Sequence, residues 1–183
     1  MKRTLALLLV CALGLGLLSG CAQASAAKEL TAPKLSVTPS NSEEVNGALA
    51  GFGLELLKKT RDANGETAMT SDMDHVPFST LVSPLSAALA LSMTANGAAG
   101  NTLAQFQDVL GGGVDLVELN TDCVQLMQDY QGLKGSTKCS IANSLWVDPE
   151  GQIKDEFIGQ CRGIFDAQVF SAQLSEPGIV KDL

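Results

Sequence analysis

Aromatic residues make up only 4% of the 183-residue sequence, which has one histidine, one tryptophan and one tyrosine. A surface that stacks nucleic-acid bases needs several rings, so the scarcity argues against one. A single histidine leaves little room for His-based metal sites or catalytic triads. Basic side chains are also short, 12 Lys and Arg against 20 Asp and Glu, for a formal net charge of −8. Phosphate backbones are held by Lys and Arg, so no nucleic-acid partner is expected. No P-loop, no Gly-x-Gly-x-x-Gly and no Gly-x-Ser-x-Gly occurs. The residues carry no catalytic constellation and call for no cofactor.

What is present suits one folded domain. The length lies within the ~100–200 residues of a typical domain. A hydrophobic fraction of 45% with 17% charged residues is not the composition of a disordered chain.

The first twenty residues stand apart. Lys2 and Arg3 precede an apolar stretch, Leu5 to Leu18, broken only by Gly14 and Gly16. The stretch falls short of the ~20 apolar residues that span a membrane and has the pattern of an export signal. Leu18-Ser19-Gly20-Cys21 resembles the bacterial lipobox, in which the cysteine is acylated and becomes the new N-terminus. An ordinary cleavage after Ala22-Gln23-Ala24 is the plainer alternative. Acylation of Cys21 would supply the two or more acyl chains that stable anchoring requires. Ala22 gives no charged retention signal beside the lipid, so the expected place is an outer or cell-surface face, or the extracellular space. Loss of Lys2 and Arg3 leaves 10 basic against 20 acidic residues, a net of −10.

Residues 21–44 are small and polar, with Pro33 and Pro39, and read as an extended, mobile tether. The domain is expected over 45–183. Ser42 is a candidate N-cap, with Glu43 and Glu44 in a first turn where the helix dipole favours acids. Val45, Leu49, Phe52 and Leu56 then form one helical face to about Thr60. Residues 61–77 read as a surface loop and Phe78 to Val82 as a short buried strand. Pro84 opens a helix whose inner stripe is Leu85, Ala88, Leu89 and Ser92–Met93, stopped by Asn96-Gly97. A second helix runs to Leu110 and ends at three glycines. Leu116, Leu119, Cys123, Leu126, Met127 and Tyr130 give the clearest period in the chain. Lys138 to Val147 reads as a strand, Asp148 to Gly151 as a turn, Lys154 to Phe165 as a helix and Ala167 to Leu174 as a second strand. Ser175-Glu176-Pro177 looks like another helix start, and there the sequence soon stops, as if cut short.

Five cysteines occur. Cys11 would leave with the signal and Cys21 would carry lipid. Cys123, Cys139 and Cys161, separated by 16 and 22 positions, match no zinc or haem spacing and read as small apolar core residues. Asp72, Asp74 and His75 could contact one metal ion, but a solvated acidic loop tip explains them more simply. Trp146 reads as core rather than as a ligand platform.

Three segments taken together resemble the serpins. They are Ser79 to Met93, the adjoining Thr94 to Leu110, and Ile141-Ala142-Asn143-Ser144-Leu145-Trp146-Val147 followed by Phe157 and Ala167-Gln168-Val169-Phe170. The resemblance covers about Val45 to Leu183. It implies an α+β fold with helices A to E, one strand of sheet B, two strands of sheet A and the start of helix F. It also implies a mechanism. A serine or cysteine endopeptidase cleaves an exposed reactive loop, is trapped as an acyl-enzyme, and the loop inserts into sheet A. Ser83, Pro84 and Ser86 match the shutter over which that sheet opens, and Asn143 matches the asparagine on the neighbouring strand. Ser79 stands where the family usually has asparagine, so the polar network there is expected to be rearranged. The reactive loop would lie beyond Leu183, so this chain alone is expected to inhibit no protease and to fold poorly without partner strands. A non-inhibitory surface binding lipoprotein remains the alternative.

The anchor is directly testable. The chain expressed in a bacterial host should partition with detergent, and the Cys21→Ser variant should move to the aqueous phase. Equal partitioning of the two would contradict acylation of Cys21.

Overall fold

The structure, a computed structural model, describes residues 27–69 and 79–174. Among these are five helices and a three-stranded mixed sheet, the α+β class expected. The expected helix start at Ser175, the His75 loop tip and Cys21 lie outside the described residues.

Helix α1 spans Glu43–Met69. Its start is doubly fixed: the Ser42 hydroxyl accepts from the Val45 N–H at 3.5 Å, and the Ser42 N–H donates to Asp122 Oδ1 at 2.8 Å. Val45 is fully buried, with Leu49 and Phe52 packed against the core. The helix runs nine residues past the expected end at Thr60, so 61–69 is helix rather than loop. Asn64 and Gly65 each oppose helix by no more than about 1 kcal/mol, while Ala, Glu and Met around them favour it. Residues 79–83 reach the next helix without pairing to any described strand, and Leu81 is 95% exposed rather than buried. The strand expected there has no sheet neighbour among the described residues.

Helices α2 (Pro84–Ala95), α3 (Gly100–Gly111) and α4 (Leu116–Gln131) follow the expected periods. Ala88, Leu89, Ser92 and Met93 of α2 are buried, as are Leu110 of α3 and Leu119, Cys123 and Met127 of α4. Tyr130 misses the stripe and is exposed. Gly112 closes α3 at φ 69°, a left-handed conformation that glycine adopts without strain. Asp115 caps α4 by accepting from the Glu118 N–H at 2.8 Å. Helix α1 packs on α2 and α3, and α4 packs on α2, α3 and a fifth helix, α5 (Asp155–Ile164).

Strand β2 (Ser144–Val147), helix α5 (Asp155–Ile164) and strand β3 (Gln168–Ser171) form the sheet end. β2 and β3 are parallel, with Ser144 opposite Gln168 and Val147 opposite Ser171. Residues 138–143, expected in the strand, carry no ladder. β3 begins at Gln168, so nothing in it lies opposite them. Val169 and the inner face of α5, Ile158, Cys161 and Ile164, are buried together.

A third strand is the main departure from expectation. Lys28–Glu29 forms β1 and pairs antiparallel with β3, giving the order β1-β3-β2. From there to Ser42 the chain lies on the domain. Leu30 N donates to Val169 O at 2.7 Å, Leu35 N to Gly159 O at 3.0 Å and Ser40 N to Thr121 O at 3.3 Å. The mobile tether expected over 21–44 is therefore packed chain from Lys28 onward. Backbone groups along it bond to β3, α5 and α4, a pairing that a linker-like composition does not announce.

One polar device sits inside the helical layer. Asn96, the C-cap of α2, donates to Asn120 Oδ1 at 2.9 Å, and Asn120 donates back to Asn96 Oδ1 at 2.8 Å. Asn120 is buried, so truncating it strands half of a reciprocal amide pair. The Asn120→Ala variant should lose about 1–3 kcal/mol of stability by urea denaturation. Adding Asn96→Ala should cost less than its effect alone, the signature of coupled partners. Strict additivity would show that the pair is not coupled.

Candidate functional site

The Ser83-Pro84-Leu85-Ser86 corner is built at the start of α2. Ser83 is extended, with φ −111° and ψ 92°, and its hydroxyl accepts from the Ser86 N–H at 3.4 Å. The two hydroxyls lie 2.8 Å apart and share a hydrogen bond in which either can donate. Both serines are exposed. Pro84 fixes the first helical residue, where a missing N–H costs nothing. Gly53 of α1 is buried against it: a Cβ there would stand 2.9 Å from Pro84 Cβ, closer than side chains pack. A side chain at this position would hold α1 away from the corner. Capping thus explains one acceptor role of Ser83, and the outward hydroxyl pair is free to meet polar backbone.

Asn143 is used differently. Its side-chain amide donates to Phe165 O at 2.8 Å and approaches Met127 Sδ at 3.8 Å. Its own carbonyl accepts from Gln168 N at 3.0 Å. One residue thereby ties α4, the end of α5 and the start of β3. Among the described residues, no hydrogen bond joins Asn143 to Ser83 or Ser86, and none involves Ser79, which is exposed. Trp146 is half-buried and stacks on Phe170 of β3, ring centroids 4.5 Å apart at 21°. It is a packing residue, as expected.

Buried polar groups around α4 escaped the sequence reading. Asp122 is buried and accepts the Ser42 N–H. Burial pushes its carboxyl above the ordinary value, the Ser42 N–H offsets part of this, and the nearby Glu118 charge adds to the rise. Asn120 and Asp122 flank the Leu119–Cys123 stripe, so the period itself placed them near the core. Their neighbours in sequence hid them.

Cys123 and Cys161 are buried and Cys139 is half-buried, all as free thiols. Burial pushes the Cys123 thiol up to about 11; the nearby Ser92 hydroxyl opposes the rise, and the Asp122 charge adds to it. Burial likewise pushes Cys161 up to about 11. Among the described residues, no cluster of His, Cys, Asp and Glu could hold a metal ion. No described helix is long and apolar enough to cross a membrane.

Comparison with known proteins agrees with this architecture. The model of the family described as Serpin (serine protease inhibitor) matches residues 47–182. The plasma serine protease inhibitor of Bos taurus is 32% identical over 98 residues, 52% of this chain and 24% of that protein. Its counterpart in Mus musculus is 28% identical over 102 residues, 54% of this chain and 25% of that one. The chain thus spans about a quarter of the length of these curated relatives. Among solved structures, a loop C-sheet serpin polymer superposes with a TM-score of 0.68 at 29% identity, over 84% of this chain and 37% of that one. The thermophilic serpin tengpin in its native state gives 0.67 at 30% identity, over 85% of this chain and 38% of its own.

The thiols give a test with a definite sign. Cys139 should be alkylated first in native protein, with Cys123 and Cys161 unreacted at pH 8. Both buried thiols titrate near 9 in the unfolded chain and near 11 in the folded one. Between those values the unfolded state releases protons that the folded state keeps. The contribution of the two thiols to stability should be constant below pH 9 and be lost from 9 to 11, so that the decline over that range is gentler in Cys161→Ala. Fast labelling of all three cysteines at pH 8 would contradict the burial.

Proposed function

Because the chain belongs to the serpin family, we propose that it is the N-terminal part of a serine or cysteine endopeptidase inhibitor that acts by reactive-loop cleavage and insertion. The role is that of an inhibitor rather than an enzyme. In this reading the target protease forms an acyl-enzyme with a loop located beyond Leu183. Loop insertion then releases strain stored in the sheet. The observation that carries the reading is the family match over 47–182, with the Ser83-Pro84-Leu85-Ser86 corner inside it. The exposed hydroxyl pair on α2 suits a shutter: it offers donors and acceptors to strand backbones that lose partners as a sheet opens. Asn143 would hold the β2–β3 end rigid during that opening, through Phe165 and Gln168.

The same reading includes a lipid anchor at Cys21, with residues 1–20 removed. Because Lys28 is already paired to β3, the residues between it and Cys21 can reach at most about 24 Å. The domain would sit against the bilayer rather than at the end of a long tether.

The test is formation of covalent complexes. The protein extended through the rest of its reading frame should form SDS-resistant complexes with at least one member of a panel of serine and cysteine proteases. Residues 21–183 alone should form none. Cleavage of the extended protein without trapping, across the whole panel, would overturn inhibition. A covalent complex with residues 21–183 alone would overturn the placement of the loop.

A further inference from the structure

We propose that Asp122 is a proton-controlled latch where the strap of residues 28–42 meets α1: its carboxyl holds the junction tightly when protonated and loosens it when ionised. The proposal does not depend on the inhibitory reading.

The strap runs along β3, α5 and α4, and most of its grips do not titrate. Lys28 and Glu29 pair with Ser171 and Phe170, and Leu30 N donates to Val169 O at 2.7 Å. Arg162 Nη1 donates to Ala32 O at 2.7 Å, and a guanidinium keeps its charge throughout. Two glycines of α5 admit the strap backbone: a Cβ at Gly159 would stand 2.5 Å from Pro33 O, and one at Gly163 would collide with the Leu35 backbone. The Lys34–Asp166 ion pair at 3.0 Å is exposed, where such pairs contribute little. The α4 end is different. Ser40 N donates to Thr121 O at 3.3 Å, and Ser42 N donates to Asp122 Oδ1 at 2.8 Å.

Asp122 is only 4% exposed. Its second oxygen, Oδ2, is buried with no hydrogen-bond partner. An ionised carboxylate there is balanced by one N–H. A neutral carboxyl leaves one O–H unpaired, a smaller penalty than a buried charge. Ionisation strengthens the single Ser42 bond, yet opening the junction lets water reach the charge. Burial is the larger influence on this carboxyl and the Ser42 N–H the smaller, so ionisation favours opening.

The neighbours do not reverse this. Glu118, one turn earlier on α4, adds a negative charge that opposes ionisation. Cys123, pushed up to about 11, stays protonated across the acid range. α1 opens on Glu43 and Glu44, and the strap carries no charged residue between Lys34 and Glu43. α2 has no titratable side chain and α3 has Asp108. α5 has Asp155, Glu156, Cys161 and Arg162, the last engaged at Ala32. Among the described residues, no cation pairs with Asp122.

The unfolded carboxyl titrates near 3.8 and the folded one higher. The contribution of Asp122 to stability is therefore complete below 3.8 and is lost as pH rises through the folded value.

The test compares the unmodified chain with Asp122→Asn, which keeps an oxygen for the Ser42 N–H and cannot ionise. In the difference between their melting temperatures the other titrations cancel. Relative to the variant, the unmodified chain should gain about 2–4 °C on going from pH 7.5 to 4. A constant difference, or a change of opposite sign, would overturn the proposal. Protection of the Ser42 amide against hydrogen exchange, corrected for the intrinsic rate, should fall about fivefold from pH 4.5 to 7.5 in the unmodified chain and stay level in Asp122→Asn. Level protection in both would mean a titrating carboxyl without a latch, and would overturn it too. A third readout needs no variant. With 15N-labelled serine, the Ser42 amide proton should move upfield as Asp122 takes its proton, with a midpoint above 3.8. A midpoint at or below that value, or no movement, would contradict the proposal.

Discussion

Strand β3 is four residues long and Val169 within it is fully buried, so its backbone groups must find partners inside the protein. β2 supplies one edge in parallel and β1 the other in antiparallel. α5 closes the inner face with Ile158, Cys161 and Ile164, and Trp146 stacks on Phe170. Asn143 and Phe165 fix the entry to the strand. The helical layer joins this assembly through α4, whose Leu119, Cys123 and Met127 belong to the same core as Val169. The start of α1 also depends on α4, because Asp122 holds the Ser42 N–H. A disturbance at β3 is therefore felt by α5 and α4, and through α4 by α1.

The helices were legible because their signal is local. Val45, Leu49 and Phe52 in α1, and Leu119, Cys123 and Met127 in α4, repeat at helical spacing, and each group packs inward. Caps were legible for the same reason: Ser42, Ser83-Pro84 and the glycines after α3 work within one turn. The end of α1 was missed because Asn64-Gly65 is a weak breaking signal against the seven other residues of 61–69, which helix accommodates. The strand over 138–147 was too long because strand length is set by a partner. Only Ser144 to Val147 have β3 beside them.

The strap was hidden for a deeper reason. Residues 28–42, which lie as a strap along β3, α5 and α4, have the composition of a linker, and their bonds run to residues 80 or more positions away. No period within 28–42 could show this. The legible sign lay elsewhere, in Gly159 and Gly163 on a helix with no need of flexibility. The corner at Ser83 and Ser86 was located by resemblance, and its cap geometry follows from Ser-Pro chemistry. Asn143 was singled out for the sheet opening, whereas its observed bonds secure the junction of α4, α5 and β3. The polar residues Asn120 and Asp122 were passed over because they lie in the polar run between Leu119 and Cys123 of a clear stripe.

The central claim is that the strap and β3 form one cooperative unit. Hydrogen exchange of the unmodified chain, followed by mass spectrometry, tests it most directly. The account predicts that peptides containing Leu30 and Leu35 exchange as slowly as those containing Val169, and that both accelerate together as urea is added. Strap amides exchanging at the rate of an unstructured peptide, beside protected amides in β3, would contradict it.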